Sequence, residues 1–571
     1  MTARSILETV ESYRKARMSF VQTVGEIALR PNNIELLLSV SALELLKPLL
    51  EDVCPQIQQC AAITLGRLAH HNAHVGKLVI EESVLSILFR DLKTRTKYYR
   101  KAAMFALRAI CKHNAETTEA VITSAGTLDA LIMCLMDLDT SVRESAAWAT
   151  GYIARHGSKL ARMVVDMGAV PHLVLCLQEH ELAVRRVAVS ALADIAKHEP
   201  YFAQVIIDSN GVGYLARALN DRDDPLKRQA IHALASISRH GYQFAETVVQ
   251  AEIFPDILLC LGHKCPTIRR NTAMLVRDVV KHTLELAQLV VNSGGVGAII
   301  EMLKVASFHK DIGSDVDARV PCVAALGYIA GSDSKLACCV VKCGGISTVQ
   351  EIMNNAYPTS DLASVCAWCL GQIGKFCPGY VADSGILPKL LELAATPGAS
   401  EELKIRCNTA LKQCVQGCTK FAVLEPLLME TQPDILDCVL AQLAKIFPRD
   451  PRARRLFVVS GGLKKIQEIR ADPGTSIMES ITMINQFFPE EIVRYYTPGY
   501  TDTLLDQVEL FSPTLELDRD ITGDTPPGPS PCASRAGCLS VIKCREAAAA
   551  GLWAERINAQ KATISRAVPK E

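Results

Sequence analysis

Six histidines at nearly constant steps are the first residues in this chain that could do chemistry. His71, His113, His156, His198, His240 and His282 follow one another at 42 or 43 positions, and the last five are each preceded by a Lys or Arg. Imidazoles ligate metals, but a zinc ion needs its nitrogen ligands at about 2 Å. Residues recurring once per stacked helical repeat stand about 10 Å apart, so these six do not converge on one ion. A cation and a histidine at the C-terminal end of a helix instead complement its macrodipole. His70 and His74, at i and i+4, could clamp a metal, yet the neighbouring sequence supplies no third ligand. Cys366-Ala367-Trp368-Cys369 has the spacing of a redox site. Aligned on the repeat, however, its cysteines fall where an earlier repeat has Ala146 and Ala149, which makes them small buried hydrophobes. Cys532, Cys538 and Cys544 match no zinc signature. Gly294-Gly295-Val296-Gly297 and Gly461-Gly462-Leu463 lack both a preceding strand and a following Lys-Ser/Thr, so they read as helix caps rather than phosphate loops. No catalytic motif, metal site or cofactor is expected, and the chain reads as a non-enzymatic scaffold.

The elements that carry these residues repeat with them. A second landmark, the turn before each new repeat, falls at Gly126, Gly168, Asn210, Glu252 and Gly294, each step being 42. Two landmarks in register define a repeat of three helical pieces. A short helix stops at Gly168, where a left-handed cap suits Gly, and Asn210 is the next best substitute. A second helix such as Pro171 to Leu177 has proline in its first turn. A third runs from about Val184 to His198, with Val184, Val187, Ala188, Ala191, Leu192 and Ile195 at the three and four spacing of a buried stripe. Such a repeat cannot bury its apolar faces alone, so neighbours must stack. The predicted fold is an all-α, right-handed superhelical solenoid that resembles the armadillo-repeat type.

Nine repeats fit, at about 34–76, 77–119, 120–161, 162–203, 204–245, 246–287, 288–337, 338–379 and 380–420. The seventh carries an insertion near Phe308 to Asp315 that should be a surface loop. Residues 1–33 supply an N-terminal capping helix, with Ser5 to Leu29 amphipathic, and 421–511 a C-terminal helical cap. The segment 512–571, which includes DTPPGPSP at Asp524 to Pro531, is expected to be a disordered tail.

Composition agrees with this plan. The chain has 571 residues, too many for a single hydrophobic core, with 49% hydrophobic but only 5% aromatic residues, as closely stacked helices require. Lys plus Arg and Asp plus Glu both number 61, so no field of one sign is available to capture nucleic acid or a lipid surface. The residues Met1 to Arg17 mix Arg4, Glu8, Glu11, Arg14 and Lys15 among apolar positions, unlike a signal peptide. The most apolar stretch, Ile34 to Leu50, is broken by Glu35, Glu44, Lys47 and Pro48. A soluble cytoplasmic protein with free thiols is the expectation.

Binding must then use a surface, and in solenoids the third helices line an extended face. Arg100, Arg143, Arg185, Lys227, Arg269 and Arg319 begin this helix in six consecutive repeats, and Lys101, Arg186, Arg228 and Arg270 follow them in the next column. The run ends at Gln58 on one side and Ala363 on the other. Cations in a row would suit an extended acidic partner. If they are solvated, removing several together should leave melting nearly unchanged.

The period and helix pattern over Ile34 to Ala422 resemble armadillo repeats. Beyond them, ARRLFVVSGGLKKIQEIRADPG at Ala453 to Gly474 and FPEEIVRYYTPGYTDTLLDQV at Phe488 to Val508 resemble the C-terminal signature of the sperm-associated antigen family of the axonemal central apparatus. The N-terminal ESYRKARMSFVQTVGEIALRPNNIE is similar to that family as well. The resemblance implies a cytoskeletal protein of the cilium and flagellum that binds tubulin and microtubules and other central-apparatus proteins, with self-association, and serves motility. Nuclear-transport adaptors, a rival within the fold, grip peptides with Trp paired to Asn four residues later. Here the Trp column has only Trp148 and Trp368, and the Asn column reads Arg67, Ala109, Tyr152, Asp194, Ser236, Asp278, Tyr328 and Gln372. A catenin-like cytoplasmic adaptor shares the basic groove and remains an alternative.

Overall fold

A computed structural model describes residues 3–500 except 125, 309–316, 431–432 and 473, together with Asp506 and Leu510. Among the described residues, regular structure is helical and no strand occurs. The chain divides into two compact bodies, Met1–Ser332 and Asp333–Glu571.

The first body is built on long helices that recur once per repeat: α1 (Ala3–Ile27), α2 (Pro55–Ala69), α3 (Lys97–Cys111), α4 (Thr140–Arg155), α5 (Leu182–Ala196), α6 (Asp224–Ser238), α7 (Pro266–Val280) and α8 (Arg319–Ser332). Two shorter helices precede each of α4 to α7; before α5 they are Ser158–Asp166 and Ala169–Cys176. The turns between short helices are left-handed where the period places them. Gly126, Gly168, Asn210, Glu252 and Gly294 have φ of 83°, 83°, 60°, 55° and 84°, and Ser41 and Ser83 extend the series toward the N-terminus with φ of 51° and 55°. Local chemistry also starts the long helices. Thr96, Asp139 and Asp223 accept from the backbone amides of Tyr99, Ser141 and Leu226, while Pro55 and Pro266 occupy first positions, where a missing N–H costs nothing.

Small residues let the long helices approach. A Cβ on Gly151 of α4 would stand 3.3 Å from the Ala191 Cα on α5. The core between them is Val142, Ala146, Ala149 and Ile153 against Val184, Ala188, Ala191 and Leu192, all essentially inaccessible. Helix α1 does more than cap this stack. Its carbonyls at Val21 and Gly25 accept from Thr64 and Arg67 of α2, at 3.3 and 2.8 Å, as though it were the third helix of a preceding repeat.

In the second body the pattern continues in α9 (Asp361–Phe376) and α10 (Glu401–Gln416). They cross so closely that a Cβ on Gly371 would lie 2.8 Å from the Ala410 Cα. Past 420, helices Phe421–Glu430, Pro433–Ile446, Pro451–Val459, Gly462–Glu468, Ser476–Asn485 and Glu490–Tyr496 gather around Phe421, Phe447, Phe457 and Phe488, with ring centroids 4.9 to 6.4 Å apart. The expected insertion falls on residues outside the described set except for Phe308, the last residue of helix Gly295–Phe308. The tail from Ser512 onward lies outside the described residues.

Candidate functional site: the face of the long helices

The repeating histidines are structural rungs. Each directs its Nε2 to a carbonyl at the end of the preceding long helix: His71 to Ala28, His113 to Ala69, His156 to Cys111, His198 to Ala154, His240 to Ala196 and His282 to Ser238, at 2.6 to 2.9 Å. A carbonyl only accepts, so each ring donates from Nε2. These carbonyls belong to the last turn, which has no intrahelical donor; the histidine of the next repeat supplies one. The cation beside each histidine lies on the same edge. Arg239 donates to the Lys197 carbonyl and Lys281 to the Arg239 carbonyl. Lys112 Nζ stands 3.2 Å from His70 Nε2. Among the described residues no group of three or more His, Cys, Asp or Glu side chains could hold a metal. Cys366 and Cys369 are fully buried, and burial pushes the Cys369 thiol well above its usual range.

Burial lowers the pKa of His198, His240 and His282, and of His232, from the ordinary 6.5. The sign follows from linkage: as pH falls through 6.5 the unfolded chain takes up protons before the folded one, so folding loses stability until the lower folded values are passed. Asp221 and Asp223 are also shifted down, from 3.8, chiefly by hydrogen bonds from Arg185 and Arg186, and add a second loss below about pH 4. Melting followed by circular dichroism should therefore fall between pH 7.5 and 5.5 and again below 4. A melting temperature flat between 7.5 and 5.5 would contradict the downward shifts of His198, His240 and His282.

The five arginines of the first cationic column are tied down by their neighbours, whereas Lys227 is held by no ion pair among the described residues. Arg100 meets Asp137 with Nε–Oδ2 at 2.5 Å and Nη2–Oδ1 at 3.1 Å. Arg143 pairs with Glu179 at 2.6 Å and Arg185 with Asp221 at 2.8 Å. In each case the acid sits in the loop before the next long helix. Arg269 donates to the carbonyls of His263 and Lys264 at 2.8 and 3.0 Å. Arg319, 8% exposed, folds back on Asp317 at 2.7 Å. The sequence carried a signal for this that went unread: Asp137, Glu179, Asp221 and His263 also stand 42 apart. So did the missing first brace, Arg17 on α1, 41 positions before Gln58 and 2.7 Å from Asp52. Replacing Arg143, Arg185, Lys227 and Arg269 together should consequently destabilise the fold, contrary to the expectation for solvated cations.

The second column divides. Arg186 pairs with Asp223 at 2.7 Å. Among the described residues no ion pair holds Lys101, Arg228 or Arg270, of which Lys101 is exposed and the others half-buried. Lys101 opens onto a groove of about 450 Å³ across α2, α3 and α4, lined by Tyr98, Phe105, Arg108, Glu144 and Trp148 among others. The Arg108 guanidinium lies over two rings, 5.3 Å from the Phe105 centroid and 5.5 Å from that of Trp148. Aromatic faces hold a cation without using up its N–H donors. Trp148 then stacks on Tyr152 at 6.0 Å, on the wall of a smaller hollow reaching Arg155 and Asp194. Sequence reasoning missed Arg108 and Phe105 because neither recurs from repeat to repeat; only alignment of α3 on α4 brings Phe105 to the Trp148 position. The groove offers apolar walls, two unpaired cations and one carboxylate, a surface suited to binding an extended chain with acidic and apolar side chains.

Residues 114–155 and 157–197 match the Armadillo/beta-catenin-like repeat. Over 159 residues the chain is 47% identical to sperm-associated antigen 6 of mouse and, equally, of human; the match covers 27% of this chain and 31% of each relative. It thus spans under a third of the relatives' length. The fold is shared with a crystal structure of an engineered protein at a TM-score of 0.59 and 21% identity, covering 78% of this chain and 98% of that one. Helical triplets, left-handed turns at a fixed period and the repeat match agree: the fold is an all-α armadillo solenoid, and the chain is similar over the matched stretch to sperm-associated antigen 6.

Proposed function

We propose that this chain is a non-enzymatic structural scaffold of the axonemal central apparatus that binds microtubules and partner proteins and serves flagellar and ciliary motility. The similarity to sperm-associated antigen 6 supports the setting. The observation that carries the binding role is the open groove in which Lys101 and Arg108 have no carboxylate of their own, between Phe105 and Trp148. Acidic, extended segments, such as those a tubulin surface presents, are the partners it suits, with Arg228 and Arg270 as further contacts along the same face.

Lys101→Glu with Arg108→Glu in the full chain should weaken co-sedimentation with microtubules about tenfold, since each exposed charge contributes up to about 1 kcal/mol. The loss should shrink as salt rises, while Lys101→Glu alone should leave the melting temperature close to that of the parent. Unchanged binding would remove the groove from the proposal and leave the axonemal role to another surface. That role is read separately, by imaging a fluorescently tagged chain in a flagellated cell, where absence from the axoneme would refute it.

A further inference from the structure

Two thiols from opposite ends of one repeat face each other in the second body. Cys338 lies on helix Ser334–Lys342, and Cys377 joins the end of α9 to helix Pro378–Asp383. Their Sγ atoms are 3.5 Å apart across 39 positions of chain. Cys338 is half-buried and reachable from solvent, whereas Cys377 is only 4% exposed. Cys111, Cys134 and Cys322 are fully buried, and there packing explains the cysteine. At this pair packing does not require two sulfurs in contact.

The geometry points to Cys338 and Cys377 as a reversible disulfide site, closed by a small-molecule disulfide such as oxidised glutathione, that staples helix Ser334–Lys342 to the start of helix Pro378–Asp383. Cys338 reacts first because it alone is accessible. Its thiol gives up a proton, the thiolate attacks one sulfur of the glutathione disulfide, that S–S bond breaks, and one glutathione leaves as its thiol. Cys377 then loses its proton and attacks the Cys338 sulfur, and the second glutathione departs. Two protein thiols and one glutathione disulfide become one protein disulfide and two glutathione thiols. Burial pushes the Cys377 thiol up to about 12, with the hydrogen bond to Cys338 and its charge adding to the rise. A bridge over this loop restricts the unfolded chain and raises stability.

The test incubates the folded full chain with oxidised glutathione, blocks remaining thiols with N-ethylmaleimide, and maps the products by digestion and mass spectrometry. A Cys338–Cys377 linked peptide should dominate and disappear on reduction with dithiothreitol. In the Cys377→Ser chain, glutathione should stay on Cys338. Melting of the oxidised parent should rise by on the order of 5 °C. Glutathione retained on Cys338 of the parent chain, or Cys338 linked to Cys339 or Cys343, overturns the pairing; a linked chain that melts no higher overturns the staple. The parent arm depends on no variant folding.

Discussion

Replacing Arg100 by alanine is expected to lower the stability of the first body by about 2–4 kcal/mol, whereas Lys101→Ala, one position along, should change it by less than about 0.5 kcal/mol. The difference lies in what each side chain touches. Arg100 is 19% exposed and donates twice to Asp137, whose side chain is 6% exposed, while its remaining nitrogen reaches the Arg95 carbonyl at 2.7 Å. Removing the arginine leaves a nearly buried carboxylate without its counter-charge. For a wholly buried pair that costs about 3–5 kcal/mol; the residual exposure here, and the Asp139 amide that still donates to Asp137 at 2.9 Å, reduce it. Lys101 is exposed and has nothing to leave unpaired. Urea titration followed by circular dichroism separates the two, and equal losses would show that the column is not a brace.

Phe447→Ala should cost the second body about 3–5 kcal/mol, the range for emptying an aromatic site in a closed core. Phe447 is fully buried and its ring lies 4.9 Å from Phe457, 5.6 Å from Phe488 and 6.4 Å from Phe421. Those partners come from different helices and loops of the segment past 420, so a cavity there loosens several elements at once. Phe447→Leu retains most of the volume and should cost less than half as much. Thermal melts of both variants decide the matter. A loss below about 1 kcal/mol for the alanine variant would mean that the four rings are not the core of this region.

Local chemistry was the legible part of the fold. Gly168 and Asn210 announced left-handed turns through residue type alone, and the apolar stripe from Val184 to Ile195 announced a helix that spans Leu182–Ala196. The histidines were placed correctly at helix ends, but their acceptors lie on the preceding repeat, and a carbonyl has no signature in sequence. Arg100 and Lys101 show the same limit more sharply. Adjacent cations of the same kind differ in role because one points at a loop acid 37 positions away and the other at solvent. Composition gives both the same charge; only the packing of α3 against the loop before α4 separates them. The aromatic clamp on Arg108 was hidden for a related reason, since it breaks the period that made the rest readable.

The histidine rungs have a consequence for how the chain acquires its structure. They join residues 43 to 45 apart, and the arginine braces span slightly less. Contacts of such uniform and modest reach give a low contact order relative to length, so no segment must wait for a distant one before it can settle. A nascent chain leaving the ribosome has, with each further repeat, both ends of the next rung already outside the exit tunnel. Folding can advance repeat by repeat, each rung closing onto the repeat before it, with the growing edge presenting an apolar face to chaperones.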